Sequence, residues 1–260
     1  MTLQEQIIEA AQHRGGLKMQ PCLAVDPVWF SAIQTEVNSL MAEKEASDVS
    51  AKVHPTNWTN PYGSVTQHSL YNESGKTGDT ATDHNLKLEG KVFAAPEYAS
   101  LQRFFNAFQS RALNFRLNGL MAKSGLSPHE ENIVHGEKLR VRLHLPIITN
   151  PQARVMLDGE QFQLQPGIIY FFNNGCVHGA GNDGEKARYH LVWDLFFDEW
   201  IEENIFNLNS PATPVEGLRK ISPSEAAALS SSQPWHIDQY INYRGQIVKT
   251  GASAEAAQTN

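Results

Sequence analysis

The sequence predicts a mainly β protein with flanking helices, built around a barrel or jelly roll. Three observations carry this. From residue 127 onward the apolar period drops to two, as in the run Leu139-Arg-Val-Arg-Leu-His-Leu-Pro146. Turn signals such as Asp158-Gly159, Pro166-Gly167 and Asn173-Asn-Gly175 recur between short runs. Few helical patterns intervene among those runs, which points to a closed or double-sheet β architecture.

Two helices open the chain. Leu3, Ile7, Ile8 and Ala11 share one helical face, and Asp26-Pro27 supplies an N-cap and first-turn proline ahead of Trp29, Phe30, Ile33, Val37 and Leu40. Residues 47–90 are rich in Thr, Asn, Ser, Gly and Asp, with aromatic Trp58 and Tyr62, and a short strand is expected over 64–70. A long irregular stretch of this kind is expected to bind or cover a ligand. Helical spacing resumes over 96–126 through Leu101, Phe104, Phe105, Phe108, Leu113, Leu117, Leu120 and Met121. Strands are then expected over 128–134, 139–148, 153–157, 161–164, 168–172, 177–179 and 188–196. A helix follows over 198–206, and a second begins at the capping box Ser222-Pro-Ser-Glu225.

One domain is expected at 260 residues. It comprises a helical and loop-rich support and lid over 1–126, a β core over 127–197, a helical elaboration over 198–250 and a disordered tail over 251–260. The net charge of −7 and scattered Lys and Arg offer no basic stripe for nucleic acid. Cys22 and Cys176 are too few and too far apart for a disulfide framework or thiolate cluster, which suits a reducing cytoplasm. No apolar run approaches a membrane span, and no signal-peptide pattern opens the chain. Nothing in the sequence speaks to oligomeric state.

The chemistry concentrates between 129 and 194. His129 and Glu131 stand two apart, so on a strand both side chains would leave one face. His178 follows beyond several strands. Each histidine taken singly is as easily a surface or core residue, but two histidines and a carboxylate are the parts of a non-haem iron site with open coordination positions. Arg188 follows on a strand whose one face carries Arg188, His190, Val192 and Asp194 and whose other carries Tyr189, Leu191, Trp193 and Leu195. Its guanidinium fork suits a carboxylate. His135 and Glu137 form a competing His-x-Glu, yet His135-Gly-Glu137-Lys138 has hairpin-turn composition, so the first pair is preferred. His54, His68 and His84 lack partner spacing and read as surface residues. Arg140 reads as an exposed strand-end arginine or a substrate-carboxylate contact, and Asn173 and Asn174 as a turn before His178.

The ordered set Arg142-Leu-His-Leu-Pro-Ile-Ile-Thr-Asn150, Asp158-Gly-Glu160, Pro166-Gly167, Phe172-Asn-Asn174, His178, Asn182 and Arg188-Tyr-His-Leu-Val-Trp-Asp194 resembles the aspartyl/asparaginyl β-hydroxylase-like branch of the 2-oxoglutarate-dependent oxygenases. The resemblance implies a double-stranded β-helix core, Fe(II) held by His129 and His178, and Arg188 paired with the distal carboxylate of 2-oxoglutarate. It places Arg142 and His144 in the cosubstrate pocket. Several members of the branch bind iron through two histidines alone, whereas here Glu131 stands where other hydroxylases carry an aspartate, so it is a ligand or a neighbour of the metal. The implied activity uses Fe(II), 2-oxoglutarate and O2 to hydroxylate an amino acid, peptide or amino-acid-derived metabolite. Rival readings are an iron-dependent halogenase or desaturase, against which a ligating Glu131 argues in the first case, and a metal-binding cupin-like protein, which needs no dicarboxylate clamp at Arg188.

Overall fold

A computed structural model describes residues 1–46, 65–77, 79, 98–108 and 112–250. Most of the expected lid, with Trp58, Tyr62, His54 and His84, and the tail 251–260 lie outside the described residues.

Helix α1 (Leu3–Ala11) starts at a capping box formed by Thr2 and Glu5. Strand β1 (Met19–Val25) follows, then α2 (Pro27–Ala46), whose first turn is closed by Asp26 Oδ1 accepting from the Val28 and Trp29 amides. Next come β2 (Val65–Ser69), α3 (Ala99–Asn106), β3 (Ala112–Leu120) and β4 (Ser124–His129). The hairpin β5 (Val134–His135) and β6 (Lys138–Ile148) leads to β7 (Ala153–Leu157), β8 (Glu160–Phe162), β9 (Ile168–Phe172), β10 (His178–Asn182) and β11 (Arg188–Phe196). Beyond the barrel, α4 (Glu199–Ile201) continues as a π-turn over Glu202–Phe206, and β12 (Leu218–Lys220), α5 (Pro223–Leu229), β13 (Ser232–Pro234), β14 (Gln239–Ile241) and β15 (Ile247–Lys249) complete the chain.

Two sheets form the core, in the order β12-β1-β9-β6-β11-β3-β2, with β5 paired to β6, and β13-β8-β7-β10-β4-β14-β15. The described pairings are antiparallel except for a single parallel bridge between Ile241 and His129. This is the jelly-roll architecture of a double-stranded β-helix. The first sheet is two-sided: Val141, Leu143, Leu145, Leu191, Trp193 and Leu195 face a large apolar cluster with Ile33, Val37, Leu101 and Phe104 from α2 and α3. Arg142, His144, Arg188 and Val192, on the other face, look into a cavity shared with the second sheet. Strand alternation thus divides one strand's residues between packing and chemistry.

Three expectations are corrected. The helix over 96–126 is confined to Ala99–Asn106, and Leu113 to Leu120 lie in β3. Leu113, Leu117 and Leu120 fit a helical period, but Leu113, Phe115 and Leu117 also alternate, and pairing on both sides with β11 and β2 decides for strand. Asn114, at φ 51°, sits in a bulge where the register against β11 shifts between Val192 and Asp194. The expected strand over 128–134 ends at His129, leaving Glu131 in the irregular connection to β5. The two-residue alternation that put His129 and Glu131 on one face therefore does not apply, and tertiary contacts bring them together instead. Finally, His68 is not a surface residue but 5% exposed within β2. β1, β2 and β3 also show that the sheets draw strands from well before residue 127.

Candidate metal and cosubstrate site

His178 opens β10 directly opposite His129 at the end of β4, and their ring centroids lie 4.2 Å apart. Each imidazole is aimed by its own backbone. His129 Nδ1 donates to the Ser127 carbonyl at 2.7 Å and His178 Nδ1 to the Cys176 carbonyl at 3.0 Å. A carbonyl only accepts, so both rings carry their proton on Nδ1 and have Nε2 as the ligating nitrogen. Burial, reinforced by neighbouring His178, pushes the His129 pKa down to about 3, so the ring stays neutral as a ligand must. Glu131 Oε1 lies 3.7 Å from His178 Nε2, and one donor atom from each of His129, Glu131 and His178 falls within 4.8 Å of the others. Two imidazoles and one carboxylate at this spacing fit a divalent iron ion.

Glu131 is itself held. Arg142 grips both its oxygens, through Nη1 to Oε1 and Nη2 to Oε2 at 3.1 Å. Arg140 Nη2 and Asn174 Nδ2 donate to Oε2 at 2.8 and 3.0 Å. Arg142 turns its other edge to Asp194, with Nε at 2.7 Å from Oδ1 and Nη2 at 3.0 Å from Oδ2. Asn114 Nδ2 completes the Asp194 shell at 2.7 Å. Burial pushes the carboxyls of Glu131 and Asp194 up, but the Arg142 and Arg140 guanidiniums outweigh it and hold both below their usual range. The same pairs raise Arg142 against its own burial. Two guanidiniums and two carboxylates form a neutral quartet.

Across the cavity the arrangement is opposite. The side chain of Arg188, a residue 7% exposed, makes no hydrogen bond or ion pair among the described residues, and its Nε is buried without a partner there. Burial alone lowers its pKa to about 10. Both ring nitrogens of half-buried His144, and Nδ1 of His190, are buried with no partner among the described residues. Burial and nearby guanidiniums keep both imidazoles neutral, Arg142 and Arg188 acting on His144 and Arg188 on His190. The His144 and His190 rings meet edge-on, 6.0 Å between centroids. An unpartnered buried cation beside unmet imidazole nitrogens is costly unless a ligand supplies acceptors.

His129, Glu131, His178, Arg140, His144 and Arg188 line one cavity of about 730 Å³, with apolar walls from Leu126, Val155, Phe172, Ala180 and Val192. Such a volume and mixed lining suit a small organic ligand. All six residues expected from sequence (His129, Glu131, His178, Arg142, His144 and Arg188) border it. Arg142, however, is spent on Glu131 and Asp194, and it does not face the cavity as a free cation. Arg140 proves to be an internal ion-pair partner of Glu131. His190 sits behind His144, and His135 is an exposed residue at the cavity rim. Sequence reasoning missed Asp194, Asn174 and Asn114. The inward alternation of β11 already put Asp194 on the Arg188 face, and that was the available signal.

The model for the aspartyl/asparaginyl beta-hydroxylase family matches residues 30–197, which spans most of both sheets and the cavity. No curated protein matches the chain. Similar solved structures include AviO1 of Streptomyces viridochromogenes Tue57, at 12% identity over 76% of this chain and 97% of that one, with TM-score 0.41. A Pseudomonas putida prolyl-4-hydroxylase shares 12% identity over 75% and 98%, TM-score 0.36. A Trichoplax adhaerens prolyl hydroxylase, in complex with a hypoxia inducible factor oxygen degradation domain peptide fragment, shares 10% over 76% and 91%, TM-score 0.43. At these scores the likenesses carry no weight of their own, and the family match bears the assignment. No helix among the described residues is long and apolar enough to cross a membrane.

Proposed function

The chain belongs to the aspartyl/asparaginyl β-hydroxylase family of non-haem iron oxygenases, and from that premise we propose that it is an Fe(II)- and 2-oxoglutarate-dependent dioxygenase acting as one catalytic domain. The reaction proposed is hydroxylation of a C–H bond in an amino acid, peptide or amino-acid-derived metabolite, with 2-oxoglutarate converted to succinate and CO2. The observation that carries it is the pairing, in one cavity, of a His129–Glu131–His178 donor set with a buried, unpartnered Arg188.

Each side chain has a task that its surroundings support. His129 and His178 present Nε2 because Ser127 and Cys176 hold Nδ1. Glu131 offers a carboxylate whose charge is already compensated by Arg142 and Arg140. Arg188 is the fork for the distal carboxylate of the cosubstrate, and neutral His144 is placed to donate a hydrogen bond beside it. Phe172, Val155 and Leu126 give the shared cavity apolar walls, which would help keep water from the reacting groups. Bound iron, together with the 2-oxo acid and dioxygen, supplies the oxidising chemistry. A ligating Glu131 leaves no room for a halide in its place, which favours hydroxylation over halogenation.

The test is anaerobic titration of Fe(II)-loaded protein with 2-oxoglutarate. The expected result is the weak visible charge-transfer band of the chelate, followed by succinate formation when oxygen and a competent substrate are admitted. A folded, metal-loaded protein without the band would refute the reading.

A further inference from the structure

The two oxygens of Glu131 are not equivalent. Oε2 accepts from three donors: Arg142 Nη2 at 3.1 Å, Arg140 Nη2 at 2.8 Å and Asn174 Nδ2 at 3.0 Å. Among the described residues Oε1 accepts a hydrogen bond only from Arg142 Nη1, and it is the oxygen that approaches His178 Nε2, at 3.7 Å. A carboxylate has about two acceptor positions on each oxygen. Oε2 is therefore more than filled, while Oε1 keeps one lone pair on the side of the two histidines.

We propose that Arg140 and Asn174 are positioning residues that restrict Glu131 to one-oxygen donation, through Oε1. Their placement is secured independently of any ligand. Arg140 also donates through Nη2 to the Asn132 carbonyl at 2.9 Å and approaches Asp194 Oδ2 at 3.4 Å. Asn174, 1% exposed, holds Glu131 twice, because its backbone carbonyl accepts from the Glu131 amide at 2.9 Å while its side chain holds Oε2. This second grip compensates for the absence of strand geometry at Glu131, which lies in the connection between β4 and β5. The consequence concerns available positions on the ion. A carboxylate giving one oxygen would occupy one position on the ion, so two imidazoles and Glu131 would leave other positions open for a chelating 2-oxo acid and a further ligand. If Oε2 were released, the flexible carboxylate would take a second position and compete with the chelate.

The inference rests on Glu131 being a ligand, and the test separates the two ideas. Co(II) is titrated into the wild type and into Glu131→Ala, Asn174→Ala, Arg140→Lys and the double variant Arg140→Met/Asn174→Ala. The visible Co(II) spectrum, which responds to a change in the ligand set, is recorded with the affinities for Co(II) and then for 2-oxoglutarate. The double variant should retain Co(II), show a changed spectrum and bind 2-oxoglutarate roughly tenfold more weakly, the size expected for one charge-assisted hydrogen bond. Asn174→Ala, which changes no charge, should move the same way by less, and it decides the matter if the double variant does not fold. Arg140→Lys, which retains a cationic donor, should stay near the wild type. Wild-type spectra and 2-oxoglutarate affinity in both the double variant and Asn174→Ala would overturn the inference while leaving Glu131 a ligand. Unchanged Co(II) affinity in Glu131→Ala would remove the ligand itself, and the inference with it.

Discussion

The two walls of the cavity differ in one respect that decides their roles: on one the charged groups are paired, and on the other, among the described residues, they are not. Around Glu131, the guanidiniums of Arg140 and Arg142 face the carboxylates of Glu131 and Asp194, and Asn114 and Asn174 fill further acceptor positions. Around Arg188, the buried Nε of that cation and three imidazole nitrogens of His144 and His190 have no partner among the described residues. Protein interiors tolerate the first arrangement because its charges are paired, although Arg140 Nε and Asn174 Oδ1 stay unmet. The second is tolerated only where something else meets the groups. A charge-paired network holds geometry, whereas an unpaired buried cation carries a charge preference, here for an anion bearing several acceptors.

The comparison breaks most sharply through two matched substitutions. Arg142→Met strips Glu131 and Asp194 of their shared cation, so unfolding free energy should fall by about 3–5 kcal/mol, the usual result of leaving buried charge unpaired. Arg188→Met removes a buried charge with no partner, so the ligand-free protein should be unharmed or more stable by ~1 kcal/mol or more. The same change should weaken 2-oxoglutarate binding by roughly 100-fold, as two charge-assisted hydrogen bonds are lost. Denaturant unfolding of both variants with and without 2-oxoglutarate reads all of this. Equal destabilisation by the two substitutions would show that the walls are not different in kind.

Acid sharpens the comparison with a smaller effect. The His129 pKa is about 3 in the fold, through burial and neighbouring His178, against 6.5 ordinarily. A group depressed on folding binds its proton less readily in the native state, so stability falls as pH is lowered from about 6.5 towards 3. Glu131 and Asp194, also held below their ordinary 4.5 and 3.8, add stability that is present above those values and lost as pH falls further. All three contributions have the same sign. The thermal midpoint of metal-free protein should therefore be level above neutrality and decline through that window. A midpoint unchanged between pH 7 and 4 would contradict the burial assigned to this wall.

How much of this was legible beforehand follows the range of the interactions. Strands 153–157, 168–172 and 188–196 were read at their observed limits, because alternation and turn residues such as Asp158 and Gly159, at φ 46° and 84°, are local signals. His178 and Arg188 were found because both lie on such strands. β1 was not anticipated: flanked by β12 and β9, it is buried from Pro21 to Val25 and shows little alternation. β3 was mistaken for helix because its leucines satisfy two periods and only distant partners choose between them. Arg140 looked like a surface residue since its partners Glu131 and Asp194 meet it through the fold. Glu131 was suspected for a strand alternation that does not exist there, and the grip of Arg142, Arg140 and Asn174, invisible in a linear reading, is what brings it to the histidines.

The smallest expected effect tests whether the charge-paired wall is self-supporting. Gly136 turns the β5–β6 hairpin two positions before β6's Lys138, at φ 63° with open space where a Cβ would stand. Gly136→Ala therefore pays only for a left-handed backbone, about 1 kcal/mol, with no collision to relieve. Arg140, the nearest member of the quartet, is fixed by more than this turn, since its amide donates to Ile133 at 2.7 Å and the next strand over is tied by the Phe197 amide to Leu139 at 2.8 Å. The substitution should thus lower stability slightly and leave Co(II) and 2-oxoglutarate affinities unchanged. A fall in either affinity out of proportion to the stability loss would mean that the hairpin, and not the side-chain quartet, sets the position of Glu131.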